Sequence, residues 1–150
     1  MATYVAVVGP GDGATPEETG LAREVGRLLA EAGAIVVCGG LGGVMAAACA
    51  GAAERGGLSV GLLPGSDRAE GNQYLTVGLP TGIGELRNGL VVRASDAVIA
   101  IGGSWGTLSE IALAKRAGKP VVVVSGWTIE GHLAPGGLSP AEAVRQALRP

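Results

Sequence analysis

Short, continuously apolar runs alternate along this chain with longer segments in which apolar residues recur every three or four positions. The runs are typical of strands buried on both faces of a parallel sheet, and the periodic segments are typical of amphipathic helices. The pattern predicts six strands, over 3–8, 34–38, 58–63, 74–79, 96–101 and 121–124. It predicts helices over 16–32, over an alanine-rich stretch that ends near 56, over 84–94, from the glycines at 102–106 to about 117, and over 140–148. In the helix over 84–94, the spacing predicts that Leu86, Leu90 and Val91 face inward.

Strands that alternate with helices predict an α/β fold: a Rossmann-like open parallel sheet of about six strands, with helices on both faces and right-handed crossovers. The chain of 150 residues is expected to form one domain, 1–150. Ligands of such sheets bind beyond the carboxyl ends of the strands, where the strand order reverses. Glycine-rich loops follow predicted strands at 9–13, 39–43 and 102–106, so all three are expected at that edge.

Composition narrows the classes of partner. Aromatic residues make up 3% of the chain and the net charge is −2 without a basic cluster, which argues against nucleic acid. No apolar run approaches the roughly 18–20 residues that cross a bilayer, and no signal peptide is visible. We therefore expect no membrane partner and a cytoplasmic location. One histidine and two cysteines, Cys38 and Cys49, are too few for a disulfide framework or a metal site.

The first glycine-rich loop formally fits the dinucleotide-binding pattern G-x-G-x-x-G/A, with Gly9, Gly11 and Ala14. The residues that follow instead predict a capping box, in which Thr15 caps the helix and Glu18 reaches back. Carboxylates at this place would repel a pyrophosphate, and the second predicted strand lacks the terminal acid that binds a ribose. We interpret the loop as a turn before a self-capped helix, rather than a nicotinamide or flavin site.

The second loop differs, because its four glycines precede a helix whose first charged residue is Glu54. Unpaired backbone N–H groups and the positive end of a helix dipole favour an anion, most often a phosphate. The alternative is that the glycines only permit close packing of the helix on the sheet. We favour anion binding.

The third loop runs from a buried strand into a helix that carries Glu110 in its first turns. Its amides and hydroxyls offer a second anion site, which we expect to share one phosphate with the second loop. The predicted ligand contacts in these two loops are Gly40, Gly42, Gly43, Val44, Met45, Gly103, Ser104, Trp105, Gly106 and Thr107.

Ionisable residues near these loops decide what chemistry the site supports. Glu110 is a general acid or base, an acceptor for a ribose hydroxyl, or only a complement to the helix dipole. Arg87 either clamps the phosphate as a fork or lies solvated on an amphipathic helix. Cys38 is expected to be a buried apolar residue, with a sulfur that faces a ligand as the alternative. Asp67 and Asn72 either touch a ligand or are solvated loop residues.

These motifs resemble those of the superfamily that contains the lonely-guy (LOG) proteins, once labelled lysine decarboxylases, and the molybdenum-cofactor carrier proteins. Residues 39–45 look like the LOG loop GGGxxGxM, and residues 102–110 look like the LOG motif PGGxGTxxE. The small carrier-like branch is closer still, in its length, in the Pro80–Gly82 turn, in Arg87–Asn88 and in residues 106–121. The similarity covers nearly the whole chain.

The resemblance implies a Rossmann-like domain that binds a small phosphorylated ligand, either a nucleoside monophosphate or the molybdenum cofactor, without a required resident cofactor. It also implies a homodimer or homotetramer. LOG proteins cleave the N-glycosidic bond of nucleoside 5′-monophosphates. By resemblance, Arg87 and Glu110 match their motif arginine and glutamate, while Thr107 and the loop amides hold the 5′-phosphate.

Four positions depart from the LOG pattern. Gly102 stands at its proline, Ser104 at its second glycine, and Ser109 where a further acid is common. Asn88 replaces the lysine that usually follows the arginine. Loss of a cation and an acid favours a carrier-like binding protein without turnover. The retained arginine and glutamate keep a LOG-type phosphoribohydrolase as the alternative, and lysine decarboxylation is not expected.

Overall fold

The computed structural model describes all 150 residues, and each apolar run predicted to be a strand forms one. The strands are β1 (Tyr4–Val8), β2 (Ile35–Cys38), β3 (Ser59–Leu63), β4 (Val77–Pro80), β5 (Ala97–Gly102) and β6 (Val121–Gly126). The helices are α1 (Pro16–Glu31), α2 (Val44–Glu54), α3 (Arg87–Arg93), α4 (Trp105–Arg116) and α5 (Pro140–Ala147). Short 3₁₀ turns cover Arg68–Glu70 and Gly84–Leu86. None of the helices is both long and apolar enough to cross a bilayer.

The six strands form one parallel sheet in the order β4-β3-β2-β1-β5-β6, which confirms the predicted Rossmann-like architecture. From β1 the chain moves outward to β4 and then returns through α3 to place β5 on the other side of β1. The strand order therefore reverses between β1 and β5. The loops after these two strands flank the crevice in which sheets of this kind bind ligands.

Helices cover both faces of the sheet. α1, α2 and α5 pack on one face with Val7 and Ile99, whereas α3 and α4 pack on the other face with Val98 and Ala100. Every residue of β5 is buried. A strand enclosed on both sides has no polar face, which is why β5 reads as a continuous apolar run.

One prediction about the second face is wrong. The residues predicted as a single helix over 84–94 divide into a 3₁₀ turn and α3, which begins only at Arg87. A 3₁₀ turn has three residues per turn, so it shifts the apolar positions around the helix axis. Leu86 and Leu90, predicted to face inward, are 78% and 41% exposed, whereas Val91 is buried as predicted.

β4 begins later than the apolar pattern predicts. The predicted strand starts at Tyr74, but the side-chain oxygen of Asn72 accepts the Tyr74 N–H at 3.0 Å and closes a turn there. Such a turn competes with extended backbone, so the strand starts only at Val77.

Direct backbone contact between α1 and α2 fixes the helix that carries the second glycine loop. A Cβ on Gly26 would lie 2.1 Å from the carbonyl oxygen of Ala48. A Cβ on Gly51 would lie 1.9 Å from the carbonyl oxygen of Arg23. Only glycine fits at either position without moving a backbone, so α2 is held against a rigid neighbour.

Replacement of Gly26 by alanine should therefore destabilise the fold by about 1–3 kcal/mol, because the added methyl group pushes α1 and α2 apart. Gly20→Ala is the matched control in the same helix, since nothing lies within 4 Å of its Cβ position. It should stabilise the fold by about 0.5–1 kcal/mol, because alanine favours a helix over glycine. Urea unfolding midpoints measure both changes, and a shift of the same sign in the two variants would contradict the contact.

Candidate functional site

Three glycine-rich loops meet at the carboxyl edge of the sheet, after β1, β2 and β5. The carbonyl oxygen of Pro10, in the first loop, accepts the N–H of Val44 at 3.0 Å. A Cβ on Gly43 would lie 2.2 Å from the carbonyl oxygen of Gly11. On the other side, a Cβ on Gly102 would lie 2.6 Å from the ring of Pro10. The first loop is therefore the spacer between the second loop and the third.

The N-terminus of α2 has no side-chain cap and no acidic residue in its first turn. Free N–H groups and the positive end of the helix dipole thus coincide, as the second glycine loop predicts. Four N–H groups here have no acceptor within the protein, and we call them the α2 amide cluster: Gly42, Gly43, Met45 and Ala46.

Two residues of this loop that were predicted to contact a ligand make contacts within the protein instead. Val44 is fully buried, and its N–H is the one donated to Pro10. Gly40 is buried too: its N–H lies 3.3 Å from the sulfur of Cys38, and a Cβ on it would lie 2.4 Å from Leu63. Both residues shape the loop instead of offering donors, because tertiary contacts occupy N–H groups that the local sequence leaves free.

Asn72 holds the second loop in place. Its side-chain amide donates to the carbonyl oxygen of Leu41 at 3.0 Å, and its N–H donates to that of Gly40 at 2.9 Å. The sequence left Asn72 between a ligand contact and a solvated residue, since a partner 31 positions away gives no local signal. Asp67, left open in the same way, caps the 3₁₀ turn by accepting the Ala69 N–H at 2.9 Å.

Ser104 caps α4. Its φ is −79°, and its hydroxyl oxygen accepts the Thr107 N–H at 3.2 Å and lies 2.7 Å from the Thr107 hydroxyl. Thr107 is buried, so both of its polar groups stabilise the turn. The first turn of α4 contains no acid. Four other N–H groups have no acceptor within the protein, and we call them the α4 amide cluster: Gly103, Ser104, Trp105 and Gly106.

Gly102 departs from the LOG proline for a structural reason. Its φ is 88°, whereas proline is confined to about −65°. A Cβ at this position would also lie 2.5 Å from a carboxylate oxygen of Glu18. The turn into α4 therefore follows a backbone path that a proline cannot take.

Arg87 and Asn88 connect the second loop to α4. The Arg87 guanidinium lies beside Gly39, where a Cβ would be 2.8 Å from a terminal nitrogen, and it hydrogen-bonds the side-chain oxygen of Asn88. Asn88 in turn donates to the hydroxyl of Ser109 in α4 at 3.0 Å. The Nε atom of Arg87 is buried and has no partner. A fixed positive charge with an unused donor thus lies between the two loops.

Glu110 is 8% exposed, and no hydrogen bond within the protein reaches its carboxyl group. Burial raises the pKa of Glu110 to about 8, and the nearby charge of Arg87 opposes this only in part. The protonated form therefore predominates at neutral pH. A neutral carboxyl group does not repel a phosphate, and it has a proton to donate.

Cys38, at the end of β2, is fully buried as predicted, and its sulfur lies 3.5 Å from that of Cys49 in α2. The hydrogen bond between the two thiols lowers the pKa of the Cys49 thiol to about 7. The same contact raises the pKa of the Cys38 thiol. The two side chains join β2 to α2 behind the second loop, where neither sulfur faces solvent.

Known proteins with similar sequences and similar folds agree with this architecture. Residues 2–147 match the family model described as the SLOG cluster4 family. An uncharacterised protein of Archaeoglobus fulgidus is 41% identical over 132 residues, which cover 83% of this chain and 85% of that protein.

Solved structures are similar over nearly the whole chain. The molybdenum cofactor binding protein of the phototrophic bacterium Rippkaea orientalis has a TM-score of 0.89 at 32% identity, over 97% of this chain and 94% of that one. The molybdenum cofactor carrier protein of Chlamydomonas reinhardtii has a TM-score of 0.87 at 31% identity, over 99% of both chains. With the family model matched almost from end to end, the chain belongs to the SLOG cluster4 family, within the superfamily of LOG and molybdenum-cofactor carrier proteins.

Proposed function

We propose that the chain binds a small phosphorylated ligand at the α2 and α4 amide clusters and holds it without turnover, as a carrier does. The observation that carries this proposal is a contrast between its helices. α1 and α5 each begin with a complete capping box, formed by Thr15 with Glu18 and by Ser139 with Glu142. α2 and α4 have no acid in their first turns, and each leaves four N–H groups without an acceptor.

The electrostatics of the site favour an anion. Both clusters lie at the positive ends of helix dipoles, and Arg87 adds a full charge beside the second loop. Glu110 subtracts little, because it is mostly protonated at neutral pH. These positive contributions are present although the chain carries a net charge of −2, and the Glu18 carboxylate near Gly102 already accepts the Thr15 N–H at 2.9 Å. Hydrogen bonds from these amides to a phosphate are charge-assisted, and such bonds are about twice as strong as neutral ones.

The molybdenum cofactor and a nucleoside monophosphate both fit this proposal, since each carries a phosphate group at one end. Support for the first comes from two similar structures named for binding or carrying the molybdenum cofactor, at 32% and 31% identity. In either case the ligand is cargo, and we expect no resident cofactor.

We also propose that the protein is cytoplasmic and self-associates as a dimer or tetramer. The exposed side chains of Leu86, Leu90 and Leu113 line one hollow of about 270 Å³ between α3 and α4. A second copy that covered this surface would remove apolar area from water. Sedimentation velocity of the purified chain measures the assembly, and a monomer at all concentrations would contradict it.

A LOG-type nucleoside 5′-monophosphate phosphoribohydrolase is the second candidate, and one observation favours it. Glu110 is a buried, mostly protonated carboxyl group near the charge of Arg87. An acid whose pKa lies near the working pH suits proton transfer, such as protonation of the base that leaves when an N-glycosidic bond breaks. Arg87 and Glu110 would then be the catalytic pair. The hydrogen bond between Asn88 and Ser109, at positions where LOG proteins have a lysine and an acid, favours the carrier.

Arg87→Gln should weaken the binding of guanosine 5′-monophosphate by about tenfold to a hundredfold, because a charge-assisted hydrogen bond contributes about 1.5–3 kcal/mol. Arg93→Gln is the matched control, since Arg93 is exposed at the other end of the same helix. Isothermal titration calorimetry measures both affinities. Absence of binding by the native chain, or an equal loss in the two variants, would contradict the proposed site.

Turnover separates the two candidates. The carrier proposal predicts that guanosine 5′-monophosphate binds while no free base accumulates in chromatography of a panel of nucleoside monophosphates. The control is Glu110→Gln, which keeps the size of the side chain but removes its titration. Base release by the native chain that disappears in this variant would overturn the carrier proposal and support the hydrolase.

Glu110 should also make the stability of the fold depend on pH. Its folded-state pKa of about 8 exceeds the ordinary value of 4.5, so the native state binds the proton more tightly than the unfolded state. The stabilisation is complete below the ordinary value and is lost as pH rises through about 8. Relative to Glu110→Gln, the native chain should lose up to about 1.4 kcal/mol per pH unit within this window.

Urea unfolding at about pH 5 and pH 8 measures this loss. Glu142→Gln is the control, because a hydrogen bond from Ser139 lowers the pKa of the exposed Glu142, so its contribution changes only at more acidic pH. A stability difference between the native chain and Glu110→Gln that stayed constant over this range would contradict a buried, protonated Glu110.

A further inference from the structure

The two tryptophans of the chain meet beside the α4 amide cluster. Trp105 is the first residue of α4, and Trp127 follows β6. Their ring centroids lie 5.1 Å apart and the rings are tilted by 46°. The distance is within the range of attractive aromatic pairs. The segments that follow the neighbouring strands β5 and β6 therefore each contribute one ring to a single aromatic surface.

Trp127 is fixed in position by the turn that precedes α4. Its indole N–H donates to the carbonyl oxygen of Ser104 at 2.8 Å. A Cβ on Gly103 would lie 3.7 Å from the indole nitrogen, so the ring is in contact with the glycine turn. The ring also packs against the buried residues between the sheet and α4. Contacts with the turn thus fix the position of the Trp127 ring, which in turn supports Trp105.

Trp105 packs against Trp127, but most of its indole is exposed to solvent. The residue is 78% exposed, and its indole N–H donates to no group of the protein. Its backbone N–H, like that of Gly106, belongs to the α4 amide cluster. A phosphate bound by these donors would therefore have the rest of its molecule within reach of a large aromatic face that is held in place.

We propose that Trp105, braced by Trp127, stacks on a planar, fused nitrogen heterocycle that is joined to the bound phosphate. The ligand class is a phosphate ester that carries such a ring, as a purine nucleotide or a phosphorylated pterin does. The inference rests on the proposed function, because the amide clusters must first hold the phosphate. Stacking of a base on an aromatic side chain is sequence-tolerant and contributes about 1–3 kcal/mol per base, which corresponds to roughly fivefold to 150-fold in affinity.

Three probes test the stacking: guanosine 5′-monophosphate, ribose 5-phosphate and inorganic phosphate. The native chain should bind the nucleotide at least about fivefold more tightly than ribose 5-phosphate. Trp105→Ala keeps the backbone N–H of the α4 amide cluster but removes the ring, so it should remove this preference for the nucleotide over ribose 5-phosphate. Trp105→Tyr should restore part of it, since the aromatic face is retained.

Tryptophan fluorescence gives a readout that a merely structural role would not move. In Trp127→Phe the remaining indole is Trp105, so the nucleotide should quench the emission of this variant while ribose 5-phosphate does not. In Trp105→Phe the remaining indole is Trp127, so quenching by the nucleotide should be lost.

The outcomes distinguish this inference from the proposed function. Equal binding of the nucleotide and ribose 5-phosphate, without quenching, would overturn the stacking surface while the phosphate site stands. Failure of all three probes to bind would overturn the proposed function and the inference together. A dimer that dissociates in Trp105→Ala with the ring preference unchanged would assign the indole to a protein interface and overturn the inference as well.

Discussion

Direct contact between backbones at the carboxyl edge is the constraint on which the candidate site depends. A Cβ on Gly9 would lie 2.2 Å from the carbonyl oxygen of Ile101, and a Cβ on Gly43 would lie equally close to the carbonyl oxygen of Gly11. With no side chain between the loops, their relative positions are set by the spacing of β2, β1 and β5 in the sheet. The α2 and α4 amide clusters are therefore rigid before a ligand arrives, and preorganised donors lose less free energy on binding.

The first loop has a different importance from the one its sequence suggests. Its glycines formally match a dinucleotide motif, yet the capping box of Thr15 and Glu18 closes the helix that follows. What the loop supplies is an acceptor: Pro10 takes the N–H of Val44, which leaves the neighbouring donors of α2 uncovered. The first loop thus decides which N–H groups at the start of α2 remain available.

The fold could be predicted almost entirely from the sequence, because buried parallel strands appear as apolar runs and helix termini carry their own capping residues. The candidate site could be predicted only in outline. Contacts between residues distant in sequence decide which loop residues are structural. Examples are the contact of Gly40 with Leu63 and the hydrogen bond from the Asn72 side chain to the carbonyl oxygen of Leu41. The inward orientation predicted for Leu86 failed because a 3₁₀ turn interrupts the helical period.

Burial of Glu110 changes the charge that its sequence position suggests for the site. A glutamate beside a phosphate costs affinity only when it is ionised, and the raised pKa of Glu110 makes the neutral form predominate at neutral pH. The same residue is therefore compatible with both candidates, so the choice between them rests on its neighbours. Asn88 hydrogen-bonds both Arg87 and Ser109 of α4. Because Asn88 and Ser109 stand where LOG proteins have a lysine and commonly an acid, this site has one cation fewer and one acid fewer than theirs. A site with many fixed donors and few ionised groups suits the proposed binding of an anion, and it has few groups left to move protons.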